Sequence, residues 1–147
     1  MDGSGEAAVV AFAGKPDATV TRAEYRALGY DCGGQGFDNE APLVGRCETV
    51  FFLDRRTGKL ETFSTSSRQY SEGHGVRIGM KQADAERLLH RRLTVGCTAA
   101  LHFGSPTGSL SIDFAGGAES GTSVEGAHVD AFVLHGHRRD AGVFDCL

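Results

Sequence analysis

Glycine interrupts this chain from end to end: 21 of its 147 residues, set between short apolar runs and never gathered into one tract. That is about twice the usual frequency. A chain punctuated in this way turns often, and its regular pieces are short strands. One strand is explicit in its pattern. Leu110, Ile112 and Phe114 alternate with Ser109, Ser111 and Asp113, which packs one face and wets the other.

The rest of the chain falls into place around such segments. Residues 47–54 (CETVFFLD) and 59–66 (KLETFSTS) read as a hairpin across the turn RRTG. Residues 99–103 (AALHF) and 109–114 form a second hairpin across GSPTG. Residues 128–136 (HVDAFVLHG) read as a final long strand, after a polar loop over residues 116–127. Residues 7–13 (AAVVAFA) alternate enough, and carry enough valine, to suggest a first strand.

Two helices are expected. Thr21 and Glu24 have capping-box spacing, in which hydroxyl and carboxylate satisfy orphan amides reciprocally. A short helix through Tyr25 and Leu28 would then stop at Gly29, suited to a left-handed cap. The second helix covers residues 81–92, where Met80, Ala83, Ala85, Leu88, Leu89 and Leu93 make an apolar stripe. His90, Arg91 and Arg92 crowd its last turn, where positive charge complements the carbonyl end. Helix, cysteine, hairpin thus occurs twice. The expected fold class is α+β: an antiparallel sheet with helices on one face, two helix-plus-hairpin units in tandem. The units span about residues 15–70 and 71–147 of a single domain, a length at which about 70% of the unfolded surface can be buried.

Charge and cysteine content narrow the setting. A formal charge of −4 argues against nucleic acid, which needs a basic face, and against an anionic membrane surface. Residues 7–13 are too few to span a bilayer, and no basic region precedes them as in a signal peptide. The opening MDGSGE reads as the start of a mature or truncated chain whose leader has been removed. Cys32, Cys47, Cys97 and Cys146 are even in number and lack C-x-x-C spacing, which points to two disulfides and an oxidising compartment. Three pairings are open to four cysteines.

Residues 59–89, KLETFSTSSRQYSEGHGVRIGMKQADAERLL, resemble a pattern of the β-lactamase inhibitory protein-like superfamily and of related small outer-membrane assembly lipoproteins. Gly75, Val76, Ile78, Gly79, Met80, Leu88 and Leu89 carry the resemblance, and the elements after them follow in the same order. It implies an exported chain that binds other proteins. It also implies a bridge within each unit, Cys32–Cys47 and Cys97–Cys146. No partner-contacting residue carries over, because those lie in loops that do not align.

The familiar catalytic motifs do not occur in the sequence. Gly73, Gly75 and Gly79 do not have G-x-G-x-x-G spacing, and no phosphate-binding G-x-x-x-x-G-K-[ST] occurs. Gly79 instead permits close backbone approach while Val76 and Ile78 enter the core. There is no G-x-S-x-G elbow. Glu24, Asp84, Glu86, Asp113 and Asp130 read as solvated carboxylates, and His74 as a loop residue. His135 and His137 would share one face of a strand and could grip zinc or copper, with a third ligand from His128 or Asp130. The expectation is an exported, non-catalytic protein-binding or envelope-associated domain with no cofactor and another protein as partner. Phe52, Phe132 and His102 could line its open face if Phe51, Leu101 and Phe103 point inward. The alternative is a secreted metal-binding or hydrolytic domain using His135 and His137.

Overall fold

The computed structural model describes residues 5–33, 43–44, 46–92, 100–105, 108–116, 118–120 and 123–136. Helix α1 (Glu6–Ala13) leads into strands β1 (Ala18–Thr21), β2 (Tyr25–Tyr30), β3 (Thr49–Asp54) and β4 (Leu60–Thr65). Helix α2 (Gln82–Leu89) is followed by β5 (Ala100–Ser105), β6 (Gly108–Ala115), β7 (Ala118–Ser120), β8 (Ser123–Glu125) and β9 (His128–His135). Seven strands make one antiparallel sheet in the order β1-β2-β3-β4-β9-β6-β5, and β7 and β8 pair separately.

Register explains where the core lies. Leu28 stands opposite Phe51, Phe51 opposite Phe63, and Phe63 opposite Leu134. Leu134 stands opposite Leu110, and Leu110 opposite Phe103. Directly paired residues share a face, so this apolar row crosses six strands on one side. Val9 of α1 packs with Leu28, Tyr30, Phe51, Leu53 and Phe63. Ala85 and Leu89 of α2 pack with Leu101, Ile112, Phe114 and Phe132 farther along. Tyr70 touches both clusters and joins them.

Two bulges set which side chains join that face. The β4 partner jumps from Thr62 to Leu60 between Phe52 and Leu53, leaving Glu61 as the extra residue. On β9 the partner jumps from Ala131 to Val129, so Asp130 is extra, and Val129 and Phe132 are both buried despite their odd spacing. One inserted residue shifts the parity of everything beyond it. Phe132, two residues before Leu134 and opposite Ile112, shares the face of the apolar row and lies in the core, not on an open face, and the bulge brings Val129 to the same side.

The opposite face is covered at one end by the Cys32–Cys47 disulfide and Leu43, packed with Val20, Ala27 and Val50. A Cβ on Gly29 would lie 2.6 Å from the Cys47 sulfur and 3.0 Å from that of Cys32. Glycine in mid-strand allows this close approach.

The tandem α+β expectation is overturned. Among the described residues strand dominates, the two helices have eight residues each, and seven strands run in one continuous sheet in place of two tandem units. Residues 7–13 are helical, because alanine fills half of α1, Glu6 starts its first turn, and Gly14 ends it with φ 84°. The helix expected after Thr21 is strand β2, hydrogen-bonded on both sides. Its last four residues are all buried, as in a strand covered on both faces, whereas a surface helix would expose a stripe. The Thr21 hydroxyl accepts a hydrogen bond from Arg26 Nη1 at 2.9 Å and caps nothing. The second helix begins and ends within the expected span, with His90 as its left-handed cap at φ 53°. The polar stretch before β9 contains the small β7–β8 hairpin.

Candidate binding site

The end of α1, the turn after it and the ends of β2 and β3 enclose a cavity of about 440 Å³, within the usual range for small-ligand pockets. Phe12 and Ala13 come from α1, Lys15 and Asp17 from the following turn, and Tyr30 and Asp31 from the end of β2. Thr49 begins β3, and Gln69 and Tyr70 close the wall from the turn after β4. The sequence reading missed this site, because its residues come from four separate segments. The one local signal was the aromatic Tyr30 beside Asp31.

Local bonding fixes the walls. The Tyr30 hydroxyl donates to the Gly14 carbonyl at 3.0 Å, tying β2 to the end of α1. Asp17 Oδ2 accepts the Asp31 amide at 2.7 Å and the Cys32 amide at 3.4 Å. Asp31 holds φ 53°, a left-handed conformation that Asp and Asn tolerate better than other side chains. Thr49, which lines the cavity, shares a buried hydroxyl hydrogen bond of 2.8 Å with Thr65. The Tyr30 ring meets Phe51 edge-on at 5.7 Å and the Tyr70 ring meets Phe63 at 5.3 Å, arrangements that suit the ring quadrupoles.

Electrostatics record how close the acids and phenols are. Burial raises the Tyr30 phenol above its ordinary value, and the charges of Glu6, Tyr70 and Asp17 add to the shift. Burial likewise raises Tyr70, with Asp31 contributing. Glu6 itself is engaged by Arg26 through two bonds of 2.8 and 3.0 Å.

The rim is apolar. Of α1's eight residues Val9 alone is buried; Ala7, Ala8, Val10 and Ala11 are exposed, and Phe12 is 71% exposed. Helices apolar on every side normally lie buried, so this surface is unusual.

The residues singled out from sequence scatter elsewhere. Cys32 and Cys47 are bonded to each other; Cys97, Cys146 and His137 lie outside the described residues. His135 Nδ1 and the Thr62 hydroxyl are 3.2 Å apart. His128 and Asp130 sit toward the other end of β9, and at about 3.3 Å per residue His128 is some 20 Å from His135. Neither can complete a metal site there. Among the described residues no group of three His, Cys, Asp or Glu side chains could hold a metal. Phe51 and Leu101 are buried and Phe52 partly so. Phe103 packs partly buried against the α2 cluster, under the Arg91 guanidinium at 4.4 Å.

The glycine-rich stretch before α2 proves to be a structural strap. Glu72 accepts the amides of His74 and Val76 at 2.6 and 3.0 Å and the His74 ring at 2.8 Å. Gly79, at φ 85°, donates to the Val129 carbonyl at 2.7 Å, and Val76 is fully buried. The role of Glu72 had no signature in the sequence.

The sequence matches no protein-family model and no curated protein. Among solved structures the chain is similar to an extracellular protein containing a SCP domain from Bacillus anthracis str. Ames, at 12% identity and a TM-score of 0.49. That match covers 91% of this chain and 43% of the other, so the chain spans less than half of that protein's length. Among the described residues no helix is long and apolar enough to cross a membrane.

Proposed function

We propose that this is an exported, non-catalytic binding domain that docks another protein on the α1 face. The carrying observation is Phe12, 71% exposed on an apolar helix at the mouth of a cavity. Aromatic side chains at the centre of a patch are the usual anchors of protein interfaces. Export is supported by the Cys32–Cys47 disulfide, since such bonds persist outside the reducing cytosol. The resemblance of residues 59–89 to β-lactamase inhibitory proteins and outer-membrane assembly lipoproteins points the same way.

The test places a photocrosslinking side chain at position 10, beside the anchor, and exposes the chain to medium and envelope extract of its native host. A discrete adduct is expected with the otherwise unchanged chain and not when Phe12→Asp is added, while both variants keep the same melting temperature. Adducts of equal yield with and without Phe12→Asp would defeat the proposal.

A further inference from the structure

We propose that the cavity beside α1 accepts a basic side chain, arginine or lysine, presented by a protein partner. The inference rests on the binding-domain reading and adds the chemistry of what enters the pocket. Arginine and lysine have an apolar stem and a charged head, and the cavity has matching parts. Phe12, Tyr30 and Tyr70 supply aromatic surface for the stem, and Asp17 and Asp31 supply carboxylates for the head.

The acids outnumber the single cation of the wall, Lys15. Asp17 spends Oδ2 on two backbone amides, which fixes its position. Among the described residues neither its Oδ1 nor the Asp31 carboxylate makes a hydrogen bond. The neighbouring acid Glu6 is already held by Arg26, so the two aspartates are the carboxylates left for an incoming cation. A cation near aromatic rings gains further from their quadrupoles. Burial is the first cause of the raised Tyr30 and Tyr70 phenols, and the nearby carboxylates add to it. An anionic guest would meet two carboxylates for one ammonium.

The experiment titrates the intact, oxidised chain at low ionic strength with acetyl-arginine amide, acetyl-citrulline amide and acetyl-glutamate amide. Aromatic NMR signals of Phe12, Tyr30 and Tyr70 report the cavity. The arginine probe should give saturable shifts, with citrulline about tenfold weaker, the scale of two charge pairs at a partly exposed site. Asp31→Asn keeps a residue suited to the left-handed backbone and should weaken arginine severalfold while leaving citrulline unchanged. Equal responses to arginine and citrulline, a stronger response to glutamate, or no response to any probe would overturn the proposal. Any of these with Phe12-dependent crosslinking intact would leave the docking face standing and remove the basic guest alone.

Discussion

Tyr30 shows how one residue serves both the fold and the site. Its ring packs on Phe51, its hydroxyl holds the Gly14 carbonyl, and its edge lines the cavity. Burial raises its phenol above 10.0, as it does for Tyr70. The folded chain therefore keeps two protons that the unfolded chain releases near pH 10. Their stabilisation is complete below that pH and is lost as pH rises through the higher folded values. The urea midpoint should fall between about pH 9 and 11, and Tyr30→Phe with Tyr70→Phe should flatten that fall relative to the parent. An unchanged slope in the double variant would contradict this account. Legibility at this scale depended on distance along the chain. Local alternation offered an inward set of Phe51, Leu101 and Phe103 only as a condition; Phe51 and Leu101 are buried, and so is Phe132 from the opposite set. Gly29 was misread as a helix stop, because its neighbours in space, Cys47 and Leu43, lie far from it in sequence. The cavity was hidden for the same reason.

Among the elements, hairpins were the legible ones. β3 with β4 and β5 with β6 each combine a local turn with adjacent runs, so their pairing needs little from the rest of the chain. Where propensity and burial disagreed, the reading failed, and the first two elements exchanged character. The valines of α1 suggested a strand, although its alanines favour helix. β2 began with helix-start residues but is claimed by β1 and β3. The α1 surface now makes a sharp distinction between its own residues. Val9→Ala should cost about 1–3 kcal/mol by opening a void among Leu28, Phe51 and Phe63. Phe12→Asp, on the exposed side, should stay within about 0.5 kcal/mol of the parent. Urea unfolding of the two variants measures both, and a large loss from Phe12→Asp would show that Phe12 serves the core instead of an interface.

On the scale of the whole molecule, seven strands in one sheet leave two faces to cover, and the chain covers them with different materials. Two short helices and the strap at residues 71–81 shield the apolar row, while at one end of the other face a disulfide takes the place of a layer. The sheet order was not legible, because β4 pairs with β9 across some seventy residues, and no local pattern announces such a partner. The Cys32–Cys47 bridge expected from family resemblance is present, and it closes a segment with a sequence separation of 15. A loop of that size stabilises by about 3 kcal/mol in the chain-entropy picture. Replacing both cysteines with alanine should lower the unfolding free energy by about that amount, and reductant, which would also open a Cys97–Cys146 bridge, should lower the parent's midpoint at least as far. Counting thiols on denatured but unreduced protein separates the two covalent expectations. None is expected if Cys97 and Cys146 are also joined, and two would restrict the covalent frame to the first bridge. Four would place the native chain in a reducing compartment, removing the argument for export while leaving the α1 surface and its cavity as they are.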